Sequence, residues 1–130
     1  MDDQAVEIAA SVKQVLETVP PDVIVVAAAK GRTPTEVKAA IEAGITHVAH
    51  NYIQEAQAAM PVVSDNVTWH MIGHLQRNKV KKAVELFDVI ETVDSWRLAK
   101  ALDRRCASIG KIMPVLVEIN SGREASKTGA

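Results

Sequence analysis

The sequence predicts an α/β fold of parallel strands, and three observations carry that reading. Continuous apolar runs of strand length recur along the chain, most plainly over residues 23–29, and such runs mark strands covered on both faces. Segments of helical periodicity stand between them. No hairpin dipeptide joins any two runs, so successive strands are expected to connect through right-handed βα units.

The elements follow in order. Over residues 6–19, Ile8, Val12, Val15, Leu16 and Val19 recur at helical spacing until Pro20-Pro21 stop the pattern, which predicts an amphipathic first helix. The run 23–29 is the first strand. Thr33-Pro34-Thr35-Glu36 then sets a capping hydroxyl, a first-turn proline and a glutamate in the order of a capping box, and Val37, Ala40 and Ile41 mark the face of the second helix. Gly44 suits its C-terminal end. Further strands are read at 46–49, 67–72, 89–93 and 112–119, each preceded by a helix-like segment, with Pro61, Asn66 and Gly110 in the connections. After Ser95, the residues Leu98, Leu102, Cys106 and Ile109 share one helix face.

Composition excludes several classes of function. With 130 residues, 48% of them hydrophobic, the chain can bury a core as one domain. The 15 basic and 16 acidic side chains leave a net charge of −1, which gives no pull toward nucleic acid or anionic membrane. The lone Cys106 provides neither a disulfide framework nor a thiolate metal cage and suits the cytoplasm. No run is long enough for a membrane span, and Met1-Asp2-Asp3 lacks the basic start of a signal peptide. No linker divides residues 1–130, so a single (β/α) domain is expected.

In βα-repeat folds, ligands meet the C-terminal ends of the strands. The residues that follow the five runs are Lys30, then His50-Asn51, Gly73-His74, Asp94-Ser95 and Asn120-Ser121-Gly122. Every strand end thus delivers a polar group to one face. A lysine directly after seven apolar residues is expected near low-dielectric surroundings, which favour the neutral amine that attacks an aldehyde. On that feature alone an exposed strand-end lysine is the commoner outcome. His74 is placed to stack on or hydrogen-bond a ring ligand, or else to cap the next helix, while His70 reads as an alternating strand residue. The pairs His47/His50 and His70/His74 fall on strand-to-loop segments, where their spacing does not form a metal site. Arg77, Lys79, Lys81 and Lys82 read as a solvated face, and Cys106 as core.

These residues together resemble a family. Ala29-Lys30, Asn51-Tyr52-Ile53-Gln54-Glu55, the block running from Trp69-His70-Met71-Ile72-Gly73-His74 to Leu75-Gln76-Arg77-Asn78-Lys79, Glu91-Thr92-Val93-Asp94-Ser95, Glu118-Ile119-Asn120 and the segment from Glu124 to Gly129 are similar to the pyridoxal phosphate homeostasis proteins, the YggS or PROSC family. The resemblance implies a parallel (β/α) barrel of the fold-type III, alanine racemase N-terminal kind. At this length it would hold only about five βα units, the N-terminal part of a longer barrel. It further implies pyridoxal 5′-phosphate held as an aldimine, a Schiff base, on Lys30, with Asn51 and His74 lining the cofactor, in a carrier or homeostasis protein that is no enzyme. This chain departs from the family in carrying Ala49-His50 where a glycine and a glutamate are usual. The later strands, which in the family supply the phosphate-binding segment, are absent from these 130 residues.

Two other readings stand beside this one. A racemase or decarboxylase dependent on the same cofactor would need a second acid/base opposite the lysine, and only Tyr52, beside Asn51, is at hand. A βα scaffold fragment without cofactor is the other. The expected partner is the small-molecule cofactor, with neither nucleic acid nor membrane, and open barrel edges favour self-association.

Overall fold

In a computed structural model, residues 3–63, 66–122, 125 and 129–130 are described. Five strands, β1 (Val26–Ala28), β2 (His47–His50), β3 (Thr68–Met71), β4 (Val89–Val93) and β5 (Val115–Val117), alternate with five helices, α1 (Asp3–Thr18), α2 (Pro34–Glu42), α3 (Ile53–Ala59), α4 (Val80–Leu86) and α5 (Trp96–Ile109). The strands form one parallel sheet in the sequential order β1-β2-β3-β4-β5. That order is the one of a barrel wall, with no reversal of the doubly wound kind. Among the described residues the sheet is open at β1 and β5.

Local sequence fixes the helix ends. The Thr33 hydroxyl accepts from the Glu36 amide at 3.2 Å while the Glu36 carboxylate accepts from the Thr33 amide at 2.9 Å, so the capping box satisfies two otherwise orphaned donors. The same amide bond, then Arg32 at 3.0 Å, holds the Glu36 carboxyl below its ordinary value. Ser95 caps α5 by accepting from the Leu98 amide. Gly110, at φ 67, closes that helix in the left-handed conformation that favours glycine.

The core lies between the sheet and its helices. Met71, Ile90 and Val93 pack with Val80, Val84, Phe87, Leu98 and Leu102, and a second cluster joins Ala29, Val37, Ile45 and Val48 to Val12 and Leu16 of α1. Cys106 lies partly buried against the first cluster. Arg77, Lys79, Lys81 and Lys82 are exposed. No helix among the described residues is long and apolar enough to cross a membrane.

The two outer strands depart from the sequence expectation. The apolar run 23–29 predicts a strand covered on both faces, yet only three of its residues pair, and Ile24 is 65% exposed. The run 112–119 likewise shrinks to Val115–Val117, all exposed, with Ile112 at 97%. Both are edge strands with a single neighbour each, and an apolar run is fully buried only where strands and helices flank it on every side. On α1 and α5, Val15 and Ile109, both assigned to buried faces by spacing, are exposed.

Candidate functional site

The ladder continues beyond the strands and sets their C-terminal ends side by side. The Ala29 amide donates to the Ala49 carbonyl at 2.9 Å and the Ile72 amide to the His50 carbonyl at 3.0 Å. Ala28 pairs with Ala49, and Ala49 with His70. Side chains alternate across a strand, and Ala27 and Ala29 pack toward the helices. Lys30 therefore follows on the opposite, inner side, at the end of β1. An amide-to-carbonyl turn from Arg32 to Ala29 and Gly31 at φ 73 form the bend after it, and a Cβ at Gly31 would meet nothing within 4 Å.

Lys30 is exposed, the commoner outcome for a strand-end lysine, and does not have the low-dielectric surroundings that the preceding apolar run suggests. Its strand is the open edge of the sheet, so the apolar run that precedes it does not enclose the amine. Asn51, half-buried, leaves β2 in contact with the loop after β3, where Gly73 packs directly on its backbone. The Thr92 hydroxyl donates to the Gly73 carbonyl at 2.7 Å, which ties that loop to β4. His74 Nδ1 stands 3.2 Å from Asp94 Oδ2, the histidine half exposed and the aspartate largely covered. Of its two expected roles, His74 takes no capping bond: Gln76 occupies the N-cap position of the turn Arg77–Lys79 and makes none either. The structure thus joins Asn51, His74 and Asp94 through adjacent loops and puts Lys30 on the neighbouring strand. Of the motif running from Glu124 to Gly129, residues 124 and 126–128 lie outside the described residues.

Sequence reasoning missed two histidine environments. His70 is more than an alternating strand residue: it is buried, with one ring nitrogen 2.9 Å from His47 and the other 3.1 Å from Glu91. No local spacing signals this, since the three residues stand 23 and 21 positions apart and meet through strand register. His50 is 1% exposed, stacked on Trp69 with ring centroids 5.8 Å apart, and neither ring nitrogen has a hydrogen-bond partner among the described residues. Burial pushes its imidazole below the ordinary value, against the opposing pull of Glu55.

Comparison with known proteins adds a family and a set of relatives. The family described as alanine racemase, N-terminal domain, matches residues 6–130. The pyridoxal phosphate homeostasis protein of Synechocystis sp. is 35% identical over 118 residues, covering 89% of this chain and 54% of that protein. Two structures of PipY from Synechococcus elongatus superpose with TM-scores of 0.88, solved without PLP, and 0.85, solved with PLP bound. They are 35% and 36% identical, and the matches cover 94% and 91% of this chain but 58% and 57% of theirs. Alanine racemase from Bartonella henselae, 18% identical with a TM-score of 0.78 over 96% of this chain and 35% of that one, shares the fold. The chain spans about half the length of the curated relatives it matches.

Proposed function

The chain belongs to the alanine racemase N-terminal domain family, and we propose that it holds pyridoxal 5′-phosphate on the Lys30 amine as a homeostasis or carrier protein. The observation that carries this reading is the position of Lys30, at the C-terminal end of β1 beside the end of β2 and on the same edge of the sheet as the end of β3. The residues present fit the cofactor's aldehyde side. A Cβ at Gly31 would meet nothing within 4 Å, so the backbone next to Lys30 is uncrowded, and among the described residues no carboxylate pairs with Lys30.

When bound, the cofactor supplies an aldehyde that an amine can capture. The rest of the mechanism belongs to the chain. Lys30 offers the nucleophilic nitrogen from the inner side of the sheet. His74 Nδ1 lies 3.2 Å from the Asp94 carboxylate, a contact that would orient the ring at the strand ends with its other nitrogen available to a ligand. Asn51, held by its contact with Gly73, offers an amide that can both donate and accept. In barrels the phosphate is gripped by loops after strands 7 and 8, so these five strands contribute the covalent and ring-side contacts.

A carrier is the reading favoured over a racemase, since among the described residues Tyr52 is the tyrosine available as a second acid/base. Tyr52, the single tyrosine, stands exposed beside Asn51 on the same strand end, not opposite Lys30. This reading places the protein in the cytoplasm, with a small molecule as ligand and neither nucleic acid nor membrane as partner. The open edges β1 and β5 favour self-association. With pyridoxal phosphate added, incubation with L-alanine separates the two activities: a carrier leaves the chirality unchanged, and turnover to D-alanine would overturn the carrier reading.

A further inference from the structure

Three polar side chains on the three central strands form one hydrogen-bonded chain that the proposed function does not use. His47 on β2 presents Nδ1 to His70 Nε2 on β3 at 2.9 Å, and His70 Nδ1 lies 3.1 Å from Glu91 Oε2 on β4. The two imidazole rings are tilted by 52° with centroids 5.1 Å apart. His70 is buried and spends both ring nitrogens within the chain, while His47 and Glu91 are half-buried.

Donor and acceptor counting restricts what this arrangement can hold. A carboxylate only accepts, so His70 Nδ1 carries a hydrogen and donates it to Glu91. With His70 neutral, its Nε2 accepts from His47 Nδ1–H. With His70 charged, its Nε2–H donates to His47 Nδ1, whose own hydrogen then resides on Nε2. Were both rings charged, two N–H donors would face each other across 2.9 Å, and the bond would be lost. The chain therefore accommodates one added proton and excludes a second.

We propose that Glu91, His70 and His47 act as a single-proton site that switches the charge on the inner side of the sheet as the solution turns mildly acidic. Among the described residues, the charged groups nearest these strands are Asp88, which accepts from the Trp69 amide at the start of β4, and Glu118, which follows β5 and pairs its amide with the Val93 carbonyl. In register beside His47 stand Val26 of β1 and Thr68 of β3, and β5, Val115–Val117, contributes no titratable side chain. Lys30 and Asp94 lie beyond the strand ends. Burial, and then the nearby His70, hold His47 below the ordinary imidazole value, in keeping with the exclusion of a second proton.

Histidine-selective nitrogen NMR of the whole chain, without cofactor and across about pH 8 to pH 5, tests this independently of the proposed function. The ring signals of His47 and His70 should move together at one midpoint, with Nδ1 of His70 protonated throughout. Glu91→Gln should lower that midpoint by about one pH unit, a tenfold loss of proton affinity. His47→Gln should leave a single transition on His70. Two independent transitions in the unaltered chain, or an unchanged midpoint in Glu91→Gln, would overturn the proposal. Should Glu91→Gln not fold, shared or separate titration in the unaltered chain decides by itself.

Discussion

Gly73 packs so tightly on Asn51 that a Cβ at this position would overlap the Asn51 carbonyl oxygen and come within 2.8 Å of its carbonyl carbon. This contact fastens the loop carrying His74 to the end of β2. The obstructing atoms are backbone, so no side-chain rotation can relieve the overlap. Gly73→Ala is expected to destabilise the fold by about 1–3 kcal/mol, the usual cost of overpacking, as read from the denaturant midpoint. An unchanged midpoint would mean that the two loops separate freely.

The pair His74–Asp94 gives a second expectation. Asp94→Asn removes the charge that orients His74 Nδ1 while keeping the shape of the side chain. Because His74 is half exposed, the loss is modest: cofactor affinity should fall roughly tenfold. Equilibrium titration with pyridoxal phosphate measures it. Stability should change little, which separates a ligand-positioning role from a structural one.

Acid should weaken the fold. His47 and His50 are both held below the ordinary imidazole value of 6.5, chiefly by burial. A folded-state value below the unfolded one means that the unfolded chain binds more protons. This contribution to stability is therefore fully present above 6.5 and is lost as the pH falls through the depressed values. The denaturant midpoint should be lower at about pH 5 than at about pH 7.5. His50→Phe, which retains a ring against Trp69, should narrow that difference.

Removing the cap of α2 isolates a local term. Thr33→Ala deletes the hydroxyl that accepts from the Glu36 amide and should cost about 1 kcal/mol, whereas Thr33→Ser should cost far less. Thermal unfolding of the two variants checks the order.

How much of this was legible in the sequence depended on whether the signal was local. The strand Val89–Val93 matches its apolar run to the residue because it is flanked by a strand on each side, and the capping box at Thr33 and Glu36 forms as its spacing requires because its partners lie within three positions. The outer strands were overread: Ile24 and Leu116 belong to apolar runs that imply cover, and whether cover exists is decided by the edges of the sheet. Lys30 stands at the strand end that its apolar run predicts, but its enclosure depends on the edge position of β1. His47, His70 and Glu91 meet across 23 and 21 positions of chain, and only strand register brings them together. The resemblance to the homeostasis proteins singles out Lys30, Asn51 and His74 as expected cofactor contacts, whereas the pairing of His74 with Asp94 depends on how the loops after β3 and β4 approach each other.

The central claim is that Lys30 carries the cofactor, and borohydride reduction tests it most directly. The protein is mixed with pyridoxal phosphate, reduced, digested and mapped by mass spectrometry, with Lys30→Ala treated in parallel. The account predicts a pyridoxyl adduct concentrated on Lys30 and the loss of most labelling in Lys30→Ala. Equal labelling of the variant, or an adduct spread over exposed lysines such as Lys81 and Lys82 with none on Lys30, would contradict it.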